Sequence, residues 1–269
     1  MTIEGPNHVK PEYRIPLTEV LWQLADDDLV IAFRASEWLG LAPHIEADVA
    51  FASIAQDEMG HATMYFELLE ALGEGSRDDL AHLRPSAERR NAVLLEIPNG
   101  SGSYLHEPHF DWAFTVCRHY LYDVFEALRL EALTQSSYLP LRQVAQKAIR
   151  EEVYHLAHQE LWLRQLAEHS KLTRARLVDG LSQAMSWAGD LTWAAPWQAA
   201  FEEFSLVPGY RALQQRWRDA IDRKFREWGL PLLKAEMPLN GRDGRHTRHL
   251  DDVLSTLSEV YRLDPTAKW

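Results

Sequence analysis

Two segments of helical period carry Glu-x-x-His on the face that their apolar spacing turns inward, Glu58 with His61 and Glu152 with His155. A three-residue step stacks two side chains on one side of a helix. The first pair interrupts the stripe Phe51, Ile54, Tyr65, Leu68 and Leu72, and the second interrupts Leu141, Ala145, Ala148, Gln159, Trp162 and Leu166. Two further acids interrupt apolar stripes in the preceding segments: Asp28 among Leu21, Ala25, Ala32, Ala35 and Leu39, and Asp123 among Trp112, Val116, Tyr120, Ala127 and Leu130. Ionisable groups in an apolar seam are costly to bury without a partner. Four carboxylates and two imidazoles from four helices are the donor set of a di-iron or di-manganese carboxylate centre. The carboxylates bridge and neutralise two hard divalent cations, while each imidazole takes one metal and leaves positions open for dioxygen. The candidate metal ligands are therefore Asp28, Glu58, His61, Asp123, Glu152 and His155, holding two iron or manganese ions or persisting as a vacant remnant of such a centre.

Chain spacing can bring these residues together. Asp28 lies 14 residues before a first turn near residue 42 and Glu58 16 after it, while Asp123 lies 15 before a second turn near 138 and Glu152 14 after it. In antiparallel hairpins rising about 1.5 Å per residue, each pair meets at one height, about 21–24 Å from its turn. The hairpins repeat at offsets of 95 and 94 residues, a duplication in function without visible sequence repetition. The motif alone is weak, since 12 His among 40 acids give such spacings by chance. Asp79/His82 and Asp243/His246 share the spacing, lie outside long apolar stripes and read as solvated surface. For Glu58/His61 and Glu152/His155 the alternative is a buried salt-bridge network, and the level pairing with Asp28 and Asp123 favours the metal centre. His119 and His158, each one turn from a candidate ligand, read equally as ligand-orienting groups or as ordinary core histidines. Asp26, Asp27, Asp57 and Glu151 point off the stripes and read as flanking charges. Trp38, Trp112, Trp162 and Trp187 read as core or interface, and Cys117 as a small buried apolar residue.

The elements that position these groups are helices. Gly and Pro number 13 each and cluster between long segments of helical period. The fold class expected is all-α, a four-helix bundle with additional peripheral helices. Helices are predicted at about 17–40, 45–73, 108–137, 140–169, 172–193, 196–205, 208–228 and 246–262, after a polar, Pro-broken N-terminus. Residues 74–107 and 229–245 read as largely irregular, too short to be linkers, so 1–269 is expected to be one domain, with its core bundle at about 17–73 and 108–169 and extra helices over 172–262. Lys and Arg total 28 against 40 Asp and Glu, a net charge of −12, which disfavours nucleic acid and anionic membrane surfaces as partners. One cysteine closes no intrachain disulfide, and no leader or membrane-spanning stretch is visible. A soluble, cytoplasmic protein is expected.

Several motifs carry a resemblance. Gln56-Asp57-Glu58-Met59-Gly60-His61, preceded by Glu37-Trp38 and Ala42-Pro43, together with Glu151-Glu152-Val153-Tyr154-His155, resembles the phenylacetyl-coenzyme A ring-1,2-epoxidase subunits, ferritin-like members of the bacterial multicomponent monooxygenases. Leu29-Val30, Ser36-Glu37-Trp38, Pro98-Asn99-Gly100, Gly244 with His246-Thr247 and His249-Leu250, and the C-terminal Trp269 are closer to the structural C type than to the catalytic A type. The likeness implies a protein that supports a homologous di-iron A-type subunit, with other epoxidase components as partners and an acyl-coenzyme A substrate at the level of the complex. It further implies a large, Trp-rich and acidic docking surface; a homodimer is also open to such a chain. C-type members lack part of the ligand set, whereas here it is complete, with Asp in place of Glu at 28. The alternative is therefore that the chain is itself a di-iron oxygenase. No glycine-rich phosphate loop or compact basic motif marks an acyl-coenzyme A pocket.

Overall fold

A computed structural model describes residues 2–267. Among them the chain forms α1 (Pro11–Ser36), α2 (Ile45–Ala71), the short α3 (Arg77–His82) and α4 (Val93–Glu96), a hairpin of β1 (Gly100–Ser103) and β2 (His106–Phe110), then α5 (Trp112–Leu133), α6 (Leu139–His169), α7 (Lys171–Met185), α8 (Gln198–Glu203), α9 (Tyr210–Glu227) and α10 (Arg248–Ser258). The fold class is all-α as expected. Helices α1 and α2 pack along their lengths as one antiparallel pair and α5 and α6 as another, and α2 lies against α6. One apolar core runs from Tyr13 to Leu254 through both pairs and the peripheral helices. No helix among the described residues is long and apolar enough to cross a membrane.

The departures from the sequence reading have physical causes. Helix α1 begins at Pro11, six residues before the predicted start, and runs through Pro16. Pro11 occupies the first turn, where its missing N–H costs nothing. Buried Tyr13 and Leu17 anchor this turn, and the Tyr13 hydroxyl meets Ser137 Oγ at 2.7 Å. The β1–β2 hairpin stands where turns and the start of a helix were predicted. It depends on glycine: a Cβ at Gly100 would lie 2.2 Å from His109 O, and Gly102 adopts φ +80°, so two residues of poor strand propensity are the ones that fit. Helix α7 stops at Met185, short of the predicted 193, and α10 stops at Ser258, short of 262. No described Trp is exposed: Trp38 and Trp217 are buried and the rest half-buried, which removes the expected Trp-rich docking surface. Trp269 lies outside the described residues.

Asp26 and Asp27 are not flanking charges. Both are fully buried. Asp26 accepts from Arg84 at 2.9 and 3.0 Å, from Arg89 at 3.0 Å and from the backbone of Arg90 at 2.8 Å. Asp27 accepts from Arg129 at 2.9 Å, from both terminal nitrogens of Arg242 at 2.8 and 2.9 Å, and from the Ala92 N–H. Of Asp243/His246, Asp243 is exposed as expected, but His246 is not solvated. His246 is buried against Glu96, with Nδ1 2.8 Å from Oε2, and the Thr247 N–H donates to the other oxygen at 2.6 Å. The tail residues that carried the resemblance thus close the segment onto α4, with Gly244 left-handed at φ 75° and Thr247 capping α10. Asp79 and His82 are half-buried rather than solvated: the Tyr261 hydroxyl donates to Asp79 Oδ1 at 3.0 Å and His82 stacks on the same ring.

Removing one member of a buried ion pair strands the other charge. Asp27→Ala leaves Arg129 and Arg242 uncompensated, and the loss expected in urea unfolding is about 3–5 kcal/mol. A loss below about 1 kcal/mol would place these charges in contact with water and contradict the network.

Candidate metal centre

Each of four long helices delivers candidate ligands to the bundle interior, because the apolar stripes that bury the helices bury these residues with them. Asp28, Glu58, His61, Asp123, Glu152 and His155 are all buried. They form two overlapping groups, Asp28–Glu58–His61 and Glu58–Glu152–His155, each with one donor atom per residue within 4.8 Å of the others. Glu58 belongs to both and stands between them. Its Oε2 lies 3.6 Å from His61 Nδ1 and its Oε1 lies 3.3 Å from His155 Nδ1, which is also 3.3 Å from Glu152 Oε2. Asp123 stays outside both groups. It faces Glu152, His155 and Glu58 closely enough to feel their charges, but an aspartate reaches one methylene less than a glutamate.

These contacts have ion-pair lengths without hydrogen-bond alignment. Oδ2 of Asp28, both oxygens of Glu58, Asp123 and Glu152, and Nδ1 of His155 have no hydrogen-bond partner. Buried polar atoms are rarely left so. Five carboxylate oxygens of Asp28, Glu58 and Glu152 and an imidazole nitrogen that gather without satisfying one another, with Asp123 beside them, fit divalent cations.

The outward nitrogens of the two imidazoles are held across the α2–α6 seam. His61 Nε2 meets Glu151 Oε2 at 2.6 Å, and His155 Nε2 meets Asp57 Oδ2 at 3.3 Å. The reading of Asp57 and Glu151 as mere flanking charges misses this role. Each precedes a candidate ligand, and each reaches the other helix's histidine, so the arrangement is reciprocal. The outer carboxylates fix the ring orientation and turn Nδ1 inward. Three further residues, Tyr122, Glu126 and Arg129, were not singled out in the sequence. The Tyr122 hydroxyl donates to Asp28 Oδ1, and Arg129 bonds both Glu126, with Nε at 2.6 Å, and the Tyr122 oxygen. Glu126 lies three residues after Asp123 on the same helix face, and that spacing was its available signal. His119 is buried against Phe51 with neither nitrogen bonded, and burial followed by the charge of Arg118 holds it well below the usual histidine range.

Without metal, protons supply the missing positive charge. Burial opposes ionisation throughout the cluster. At Glu58 the contacts with His155 and His61 overcome it and bring the carboxyl down to about 2. Burial likewise opposes charging of His61, but Glu58, Asp28 and Glu151 raise it to about 10, and Glu152 and Glu58 raise His155 to about 12. Asp28 is raised by burial and the Glu58 charge, and Asp123 by burial and the Glu152 charge. Burial raises Glu126 to about 7 despite Arg129.

The profile of the phenylacetic acid catabolic protein family matches residues 1–269. The chain belongs to this family. It is similar to the C component of the 1,2-phenylacetyl-CoA epoxidase of Escherichia coli (strain K12), at 28% identity over 255 residues, covering 94% of this chain and 99% of that protein. It is also similar to the A component of the same organism's 1,2-phenylacetyl-CoA epoxidase, at 23% identity over 181 residues, covering 67% of this chain and 55% of that protein. Family membership agrees with the resemblance read from the motifs around Glu58 and Glu152.

The raised imidazoles have a consequence for stability. A histidine whose folded value exceeds its unfolded one contributes stability that is complete below the unfolded value near 6.5 and is lost as pH rises through the folded value, here about 10 for His61 and about 12 for His155. In metal-free protein, the stability margin over a His61→Gln/His155→Gln variant is expected to be fullest below about pH 6.5 and to shrink steadily as pH rises from there toward the folded values of about 10 and about 12. Urea titrations across this range check it, and a margin that grows with pH would contradict protonated imidazoles.

Proposed function

We propose that this chain is the C-type, supporting subunit of a phenylacetyl-CoA 1,2-epoxidase complex in aerobic phenylacetate degradation, paired with a homologous catalytic A-type partner and served by the other components of that complex. The observation that carries the reading is coverage: alignment to the C component is nearly end to end on both chains, at 94% and 99%, whereas alignment to the A component reaches 67% and 55%. In this reading residues 1–269 are one ferritin-like domain working in the cytoplasm, and the acyl-coenzyme A substrate binds at the level of the complex.

The same reading assigns Asp28, Glu58, His61, Asp123, Glu152 and His155 as ligands for two divalent ions, iron or manganese. Glu58, shared by both donor groups, would help to hold both ions. His61 and His155 present Nδ1 inward because Glu151 and Asp57 hold Nε2. Tyr122 occupies one oxygen of Asp28 and leaves the other free, while Arg129 offsets the charge of Glu126. Bound iron would supply redox chemistry toward dioxygen. The complete donor set favours a second reading, in which the chain is itself a di-iron oxygenase.

Metal that binds only the folded state stabilises it by mass action, by about 2.7 kcal/mol at 100 times Kd. Ferrous or manganous ion is expected to raise the thermal midpoint, and Glu58→Ala/Glu152→Ala to abolish the rise. An unchanged midpoint at saturating metal would mark a metal-free network of ion pairs. Reconstitution separates the two functional readings. On its own, a supporting chain turns over no phenylacetyl-coenzyme A with iron and reductant, but it does support epoxidation once the A-type partner is present, and this activity survives Glu152→Ala here. Turnover by the isolated chain, lost in Glu152→Ala, would establish the second reading.

A further inference from the structure

A supporting protein needs a large face for its partner, and the outer surface of the α2–α6 pair has the composition of one. In a chain with 40 acidic residues, the exposed positions along the middle of α2 are Val49, Ser53, Gln56, Gly60 and Thr63, none of them charged. Those on the middle of α6 are Val153, Tyr154, Ala157 and Leu161, again uncharged. Tyr154 is 76% exposed, Val49 63% and Leu161 46%. Depletion of charge with aromatic and aliphatic exposure is the compositional mark of an interface core. The two stripes adjoin, since the His61–Glu151 and His155–Asp57 contacts hold the helices side by side at this level.

Gly60 is an independent observation. Glycine inside a helix costs about 1 kcal/mol relative to alanine, so it calls for a reason. Gly180 in α7 has one within the chain, because a Cβ there would lie 2.8 Å from the Phe114 nitrogen. Gly60 has none, for nothing lies within 4 Å of where its Cβ would be. It leaves a notch in the face, and Tyr154, within a turn of it across the seam, stands out beside the notch. A notch next to a projecting ring admits the close approach of an external helix.

From the geometry of this face we infer that the A-type subunit docks on α2 and α6 of this chain, with one of its helices seated at Gly60. The inference rests on the functional reading above. Size supports the occupant: residues 45–64 with their α6 counterparts make a face about 30 Å by 20 Å, and Leu39, Leu41 and the β1–β2 tip extend it, Tyr104 donating to Leu39 O at 3.1 Å. That approaches the roughly 800 Å² per partner of a stable complex. Charge supports it as well. The rim is acidic along α2, which contains no Lys or Arg, and basic at exposed Lys147, Arg150 and Arg164 of α6. A homologous partner that carried the same two rims across a pseudo-twofold axis would set its α6 against α2 of this chain and match them.

The test measures binding of the full chain to the A-type partner from the same source. Tyr154→Glu/Leu161→Glu and, separately, Gly60→Arg are expected to weaken Kd at least tenfold at unchanged circular dichroism, while Leu232→Glu, an exposed aliphatic elsewhere, binds as wild type. When the A-type partner is added to the wild-type chain, hydrogen exchange is expected to slow at 49–64 and 147–161, a readout independent of how the variants fold. Variants that bind within threefold of wild type, with no added protection in those segments, overturn the docking face while leaving the functional reading intact. A wild-type chain that does not bind the A-type partner overturns both. A dimer of this chain that Tyr154→Glu dissociates, with A-type binding unchanged, assigns the face to a second copy and overturns the inference.

Discussion

Three consecutive aspartates, Asp26, Asp27 and Asp28, point from one turn of α1 into the protein interior, and each needs positive charge that water cannot supply. At 100° per residue they diverge into three surroundings. Asp26 takes Arg84 and Arg89, Asp27 takes Arg129 and Arg242, and Asp28 faces Glu58 and His61 with a single hydrogen bond from Tyr122. The first two are fully neutralised by fixed guanidinium groups. The third is not, and the deficit is shared by the carboxylates around it.

This difference accounts for the way the rest of the chain is organised. The segment between the two helical pairs contributes Arg84 and Arg89, and the tail contributes Arg242, so stretches that look peripheral in sequence complete the charge balance of the bundle. Glu96 repeats the pattern on a smaller scale, taking Asn91, His246 and the Thr247 N–H. Such pairs add little stability over a well-packed apolar core, but they are costly to break singly. They hold the irregular segments in place, and they leave the cluster around Glu58 as the place where buried negative charge is met by titratable groups alone. That is where either protons or metal can serve.

The cluster also lies close to the surface on one side. Asp57 and Glu151 are about one-third exposed while gripping the buried imidazoles of His155 and His61. A partner covering α2 and α6 would desolvate these two carboxylates and strengthen their hold on the rings. Docking there would couple to the state of the inner cluster through these two side chains.

Helical period and level spacing were enough to determine the all-α class, the four long helices and the six inward ionisable groups, since which face a residue occupies is a local property of the chain. The start of α2 at residue 45 and the end of α6 at residue 169 were legible for the same reason. Period could not reveal what a side chain meets. Asp26 and Asp27 look like surface charges by position, and their arginines lie 58 to 215 residues away. His246 finds Glu96 across 150 residues, and the reciprocal grips of Asp57 and Glu151 exist only where α2 crosses α6. A charged side chain is buried when a distant partner offsets its desolvation, and only the tertiary structure decides which partners arrive.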